Sequence, residues 1–151
     1  GKERVCIERL ESPETVRIVS HIGLRIPLYA GSAGKVFLAF LPEDRREEIL
    51  TTTEMVPLSP CTITDIDKLK AELNKIREQG YAISRGEWIL EAAGVAAPIF
   101  GHTRHIIAAL TISGPAQRFT DEKINEIIPL VTSGAEEISQ ELGYFPRSYS
   151  Q

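Results

Sequence analysis

The sequence lacks most of what would mark a membrane, metal or disulfide protein. Its 151 residues include two cysteines, one Met and one Trp. Cys6 and Cys61 are too few for a disulfide framework and lie too far apart for a zinc site, so a reducing, cytoplasmic compartment is expected. No apolar run approaches the roughly 20 residues of a membrane helix; no membrane partner is expected, and no signal peptide opens the chain. Basic charge is also scarce. Lys and Arg number 17 against 21 Asp and Glu, for a formal charge of −4. Nucleic-acid affinity comes largely from cations on phosphates. The cations here are interleaved with acids, as in Arg45-Arg46-Glu47-Glu48, the pattern of a solvated helix face. This chain is not expected to read DNA by itself. It opens on Gly1 rather than Met, and a fragment of a longer protein is expected.

Catalytic constellations are missing as well. Gly31-Ser32-Ala33-Gly34-Lys35 falls short of a phosphate loop, because Tyr29 stands where the first Gly belongs and Val36 where a magnesium-binding Ser or Thr belongs. No Gly-x-Ser-x-Gly elbow occurs. His102 and His105 lie on a turn and a strand start without further ligands nearby, and His21 is isolated, so no metal site is expected. Neither catalytic residues nor a cofactor are expected.

What is present is a single domain's worth of strands and helices, with 42% hydrophobic residues. Arg4 to Leu10 reads as a strand, as does Thr15 to Ser20, joined by the turn Ser12-Pro13-Glu14 as antiparallel neighbours. His21 to Ala30, with Gly23 and Pro27, reads as irregular. Ala33 to Leu41 reads as a buried helix with Ser32 as N-cap, and Pro42 as the first residue of another, followed by Glu43 and Asp44. From Thr64 a helix places Ile66, Leu69, Leu73 and Ile76 on one face until Gly80. Tyr81 to Ser84 is a short strand. Gly94 to Phe100 is a strand placed at an edge or bulge by Pro98. Gly101 to Arg104 is a hairpin connection and His105 to Ser113 a strand. From Thr120 a helix carries Ile124, Ile127, Ile128, Val131, Ala135, Ile138 and Leu142 on its apolar face, with Pro129 expected to kink or split it. Strands and helices that do not alternate strictly indicate an α+β fold with a largely antiparallel sheet.

Three features bear on function. Small residues at the start of the first buried helix leave backbone N–H groups open to an anion, or else make a tight turn with close packing. In the strand from Ile106, period two sets Ile106, Ala108, Leu110 and Ile112 on one face and Ile107, Ala109, Thr111 and Ser113 on the other. The second face suits a pocket with a few hydroxyls, or a strand end emerging into solvent. Trp88, after Ser84-Arg85-Gly86-Glu87, either caps the core or walls a ligand site.

Several of these stretches together resemble the IclR family of bacterial transcriptional regulators. They are Pro27 to Pro42 with its Ala33-Gly34-Lys35, Ile76-Arg77-Glu78-Gln79-Gly80-Tyr81-Ala82, Gly94 to Phe100 with Ala96-Ala97-Pro98, Ile112-Ser113-Gly114-Pro115 with Arg118-Phe119-Thr120, and Leu142-Gly143-Tyr144. The resemblance covers nearly the whole chain. It implies a GAF-like (profilin-like) domain, an antiparallel sheet flanked by helices, that senses a small organic effector such as a carboxylate or aromatic acid. It also implies a dimer or tetramer, with DNA contacted only through a winged helix-turn-helix that precedes this domain and is absent here. By the same resemblance, ligand positions fall at Ser32, Ala33 and Gly34, at Ser84, where some members carry Asp, at the neighbouring Glu87 and Trp88, at Ala92 and Gly94, where some members carry a larger residue or Cys, and at Thr111 and Ser113. Ser84 and Gly94 then imply a roomier, less acidic pocket. The other readings weighed are a GAF-like sensor serving another signalling output, a ligand-free dimerisation domain, and a small enzyme.

Overall fold

A computed structural model describes residues 1–11, 13 and 20–146. The described residues form an α+β domain of two antiparallel sheets and four α-helices. The helices follow their sequence signals closely. Helix α3 (Ile66–Gln79) starts one residue after Asp65, whose carboxylate accepts from Lys68 N, and stops where Gly80 turns left-handed at φ 88°. Its stripe Leu69, Leu73 and Ile76 is almost fully buried, each side chain contributing roughly 1.5–3 kcal/mol. Helix α2 (Glu43–Thr52) carries Glu43 and Asp44 in its first turn, with Pro42 as its N-cap rather than its first residue.

Helix α1 (Ser32–Phe40) starts one residue earlier than expected. Gly31, not Ser32, is the N-cap, and no side chain caps it. Helix α4 (Asp121–Glu141) is capped by Thr120, which accepts from Lys123 N, and runs past Pro129 unsplit. Its buried stripe is Ile124, Ile127, Val131, Ala135 and Ser139. Ile138 and Leu142, expected on that face, are exposed at 38% and 46%. The sheet beneath ends there, and Ser139 takes the inward position, donating to Ala135 O and accepting from Phe100 N.

The larger sheet has the order β3-β4-β5, with β3 at Ala82–Arg85, β4 at Ala92–Phe100 and β5 at Ile106–Pro115. Pro98 lies in the central strand but beyond the end of β3, where β4 has a neighbour on one side only among the described residues. A residue without an N–H is tolerated there. The irregularity lies one position on, between Ile99 and Phe100. It breaks the strict period of β5: Ile106 joins the core on the opposite side from Leu110 and Ile112, and Ile107 is 53% exposed. Helix α4 covers the face carrying Val95, Ala97 and Ile99, while α1, backed by α3, covers the face carrying Ala82 and Ala96.

The N-terminal region departs most from expectation. Strand β1 is only Glu3–Val5, and its partner is β2 (Arg25–Pro27), inside the stretch expected to be irregular. Just beyond Val5, Cys6 N donates to Leu24 O and Cys6 O accepts from Gly23 N. The expected strand at Thr15 to Ser20 and its turn lie almost wholly outside the described residues.

Candidate functional site

Period-two geometry assembles one surface from three strands. Ser84 is the register partner of Gly94, and Gly94 that of Ser113, so these three form a row across β3, β4 and β5. The next row is Ala82, Ala96 and Thr111. Both rows face α1, because their neighbours of opposite parity pack under α4. Ala92 lies at the far end, paired with Pro115. Ser84 is 7% exposed, whereas Thr111 and Ser113 on β5 are accessible. The two hydroxyls thus open to solvent beside a buried floor.

The start of α1 meets this floor directly. Ser32 is buried, and its Oγ lies 3.0 Å from where a Cβ on Gly94 would stand. The space that Gly94 leaves is therefore occupied by Ser32, and the missing side chain permits close approach rather than a roomy pocket. Gly34 serves packing more strictly, since a Cβ there would lie 2.3 Å from Leu28 O. Ala33 is buried beside it. No acid lies in the first turn of α1 and no side chain caps it, so its partial positive charge faces the row uncompensated by the helix itself.

One residue further on, α1 carries a charge that sequence reasoning passed over as part of a failed phosphate loop. Lys35 is 1% exposed, and its Nζ donates to Glu87 Oε2 (2.8 Å), Ile83 O (2.9 Å) and Glu72 Oε1 (3.3 Å). A buried ammonium needs partners for its N–H groups, and acceptors from α3, β3 and the following loop supply three. The second oxygen of Glu87, Oε1, is buried with no hydrogen-bond partner among the described residues. A lone Lys in the apolar run Ala33 to Leu41 was the available signal.

The loop after β3 is held from outside. Ser59 Oγ donates to Gly86 O and Thr62 Oγ1 to Glu87 O, while Tyr29 Oη both donates to Val56 O and accepts from Val56 N. Trp88, half-buried, packs on the α1 side of the core. Of the positions expected to meet a ligand, Ser32, Ser84, Gly94 and Ser113 come together, with Thr111 one row away. Glu87 is joined to them through Lys35.

A cleft of about 210 Å³ runs between β1 and the outer sides of α1 and α2, lined by Arg4, Leu28, Phe37, Leu41, Arg45 and Ile49, with Gly1 and Glu3 at its rim. Arg4 was not singled out in the sequence. Burial holds its guanidinium below its ordinary pKa, and the Cys6 sulfur, when ionised, acts in the opposite sense. Among the described residues, no group of acids, His and Cys could hold a metal ion, and no helix is long and apolar enough to cross a membrane.

Comparison with known proteins identifies what this arrangement belongs to. The family model "Bacterial transcriptional regulator IclR C-terminal" matches residues 1–140. The chain is an IclR-family effector-binding domain. It is 36% identical over 144 residues to the HTH-type transcriptional regulator KipR of Bacillus subtilis, spanning 95% of this chain and 58% of KipR. The IclR structure of Thermotoga maritima superposes with a TM-score of 0.91 at 42% identity, over 95% of this chain and 58% of that one. A double mutant of the inducer-binding domain of PobR from Acinetobacter, in complex with 3-hydroxybenzoic acid, superposes with a TM-score of 0.81 at 29% identity, over 91% of this chain and 82% of that one. The α+β GAF-like architecture expected from sequence is the one found. The IclR family consists of transcriptional regulators rather than enzymes, and this chain spans a little over half the length of KipR.

Proposed function

We propose that this domain senses a small organic acid bound between the first turn of α1 and the Ser84–Gly94–Ser113 row. The observation that carries the reading is the meeting of an uncapped helix start with the accessible hydroxyls of Thr111 and Ser113 on one sheet face. Backbone N–H groups at Ser32 and Ala33 take the carboxylate, and Ser113 and Thr111 donate hydrogen bonds to its oxygens. The apolar sides of Trp88 and the α1-side core face the rest of the ligand. The complex of the PobR double mutant with 3-hydroxybenzoic acid supports an aromatic acid as one candidate class. In the longer protein, a homodimer or tetramer in the cytoplasm has two arrangements of its DNA-binding parts. The acid favours one arrangement to the extent that it binds that one more tightly, and so changes operator affinity.

A thermal-shift screen of small aliphatic and aromatic carboxylates, each beside its uncharged amide, tests this. A ligand at a hundred times its dissociation constant adds about 2.7 kcal/mol to stability. At least one acid should raise the melting temperature where its amide does not, and Ser113→Trp should remove the rise. A second reading, a ligand-free oligomerisation domain, is favoured by the filling of the Gly94 space by Ser32. A screen in which no acid stabilises the chain would select it.

A further inference from the structure

The ion pair at the β3 side of α1 leaves one strong acceptor unused. The Lys35 ammonium has three N–H groups, and all are taken, by Glu72 Oε1, Ile83 O and Glu87 Oε2. The Glu87 side chain is only 9% exposed, and its Oε1 is buried with no partner among the described residues. A buried carboxylate oxygen without a donor is costly. The two hydroxyls that hold its loop cannot help, because Thr62 Oγ1 donates to Glu87 O and Ser59 Oγ to Gly86 O.

The connections of Glu87 set this oxygen at the β3 end of the serine row. Ile83 O, which meets the same Nζ, belongs to the residue before Ser84. Lys35 stands one turn after Ser32 on α1. Ser32 and Ser84 are themselves buried, and neither side chain makes a hydrogen bond among the described residues. Unused polar groups of helix, strand and loop therefore share one end of the floor. We propose that the acid sensed here is a hydroxy acid, and that Glu87 Oε1 accepts its hydroxyl. The inference rests on the reading of the α1 start as the carboxylate site, and it adds a second point of recognition. The carboxylate lies at the N–H groups of Ser32 and Ala33, and the hydroxyl points toward β3. A hydroxyl brings one O–H to the one open acceptor, whereas an ammonium brings three N–H groups. Glu87 is then a specificity residue, since a site built to bond a hydroxyl rejects the analogue lacking it.

Melting-temperature titrations at matched ionic strength test this with glycolate, lactate and 3-hydroxybenzoate. Each is set beside its parent without the hydroxyl (acetate, propionate, benzoate) and beside its methyl ether. At least one hydroxy acid should bind wild type about tenfold or more tightly than its parent and its ether, the effect of one hydrogen bond to a charged group. Glu87→Gln keeps the volume and one oxygen for Lys35 but puts an NH2 where the open acceptor was, and the preference should disappear. A second readout needs no variant to fold. The NMR shift of the Glu87 carboxyl carbon in wild type should move with the hydroxy acid and stay in place with its ether. Three results would overturn the inference: acids that bind with no preference for a hydroxyl, a preference that survives in Glu87→Gln, or a Glu87 carboxyl unmoved at saturation. In each of these an acid still binds, and the carboxylate site at the α1 start stands. If no acid of this panel or of the wider screen binds, that site falls and the inference falls with it.

Discussion

Lys35 Nζ lies 2.8 Å from Glu87 Oε2, with the lysine side chain 1% exposed and the glutamate 9%. This pair ties α1 to the loop after β3, and the bond from Lys35 Nζ to Ile83 O ties it to β3 itself. Replacing Lys35 with Met leaves Glu87 buried beside Glu72 without a counter-charge. Breaking a buried pair by removing one partner costs about 3–5 kcal/mol. Urea unfolding of Lys35→Met should show a loss of that order. The double variant Lys35→Met with Glu87→Gln should recover part of it, because no charge is then stranded at Glu87.

Two glycines that meet neighbours at the start of α1, Gly34 in its first turn and Gly94 on β4 facing it, should respond differently to Ala. At Gly34 the added methyl would meet the backbone of Leu28, its O at 2.3 Å and its C at 2.8 Å, and backbone cannot rotate away. Gly34→Ala should therefore cost about 3 kcal/mol or more, at the upper end of overpacking effects. At Gly94 the nearest atom is the Ser32 hydroxyl at 3.0 Å, which can turn aside. Gly94→Ala should cost about 1 kcal/mol, and less again in a Ser32→Ala background. Thermal unfolding of the four variants measures this coupling directly.

The contrast shows what sequence can and cannot say about such a site. The bounds of α3 are legible because Asp65 and Gly80 act on residues beside them, and the pairing of Thr111 and Ser113 on one face is legible because it follows from strand parity. Ile106 is misplaced by that same parity, because one register shift at Ile99 moves it to the other core. The partners of Lys35 are harder still to read. Glu72 and Glu87 lie 37 and 52 positions away, and no local pattern announces them. The site motifs were readable mainly through resemblance to the IclR family, whose membership the family match then established.

Ser139 is a polar residue in an otherwise apolar stripe of α4, buried to 1%. Its Oγ accepts from Phe100 N at 3.0 Å, next to the register shift where the ladder is interrupted. Ser139→Ala removes that acceptor and strands a backbone N–H, which should cost about 1–3 kcal/mol. Hydrogen exchange at the Phe100 amide should quicken in the variant while amides in the middle of β4 keep their protection.

The central claim is that a small acid binds where α1 starts, against the Ser84–Gly94–Ser113 row. Amide chemical-shift mapping by NMR, with the most stabilising carboxylate of the screen, tests it most directly. The largest shifts should fall on Ser32, Ala33, Gly94 and Ser113, and they should vanish in Ser113→Trp. Shifts confined to other parts of the domain, with those four amides unmoved at saturation, would contradict the claim.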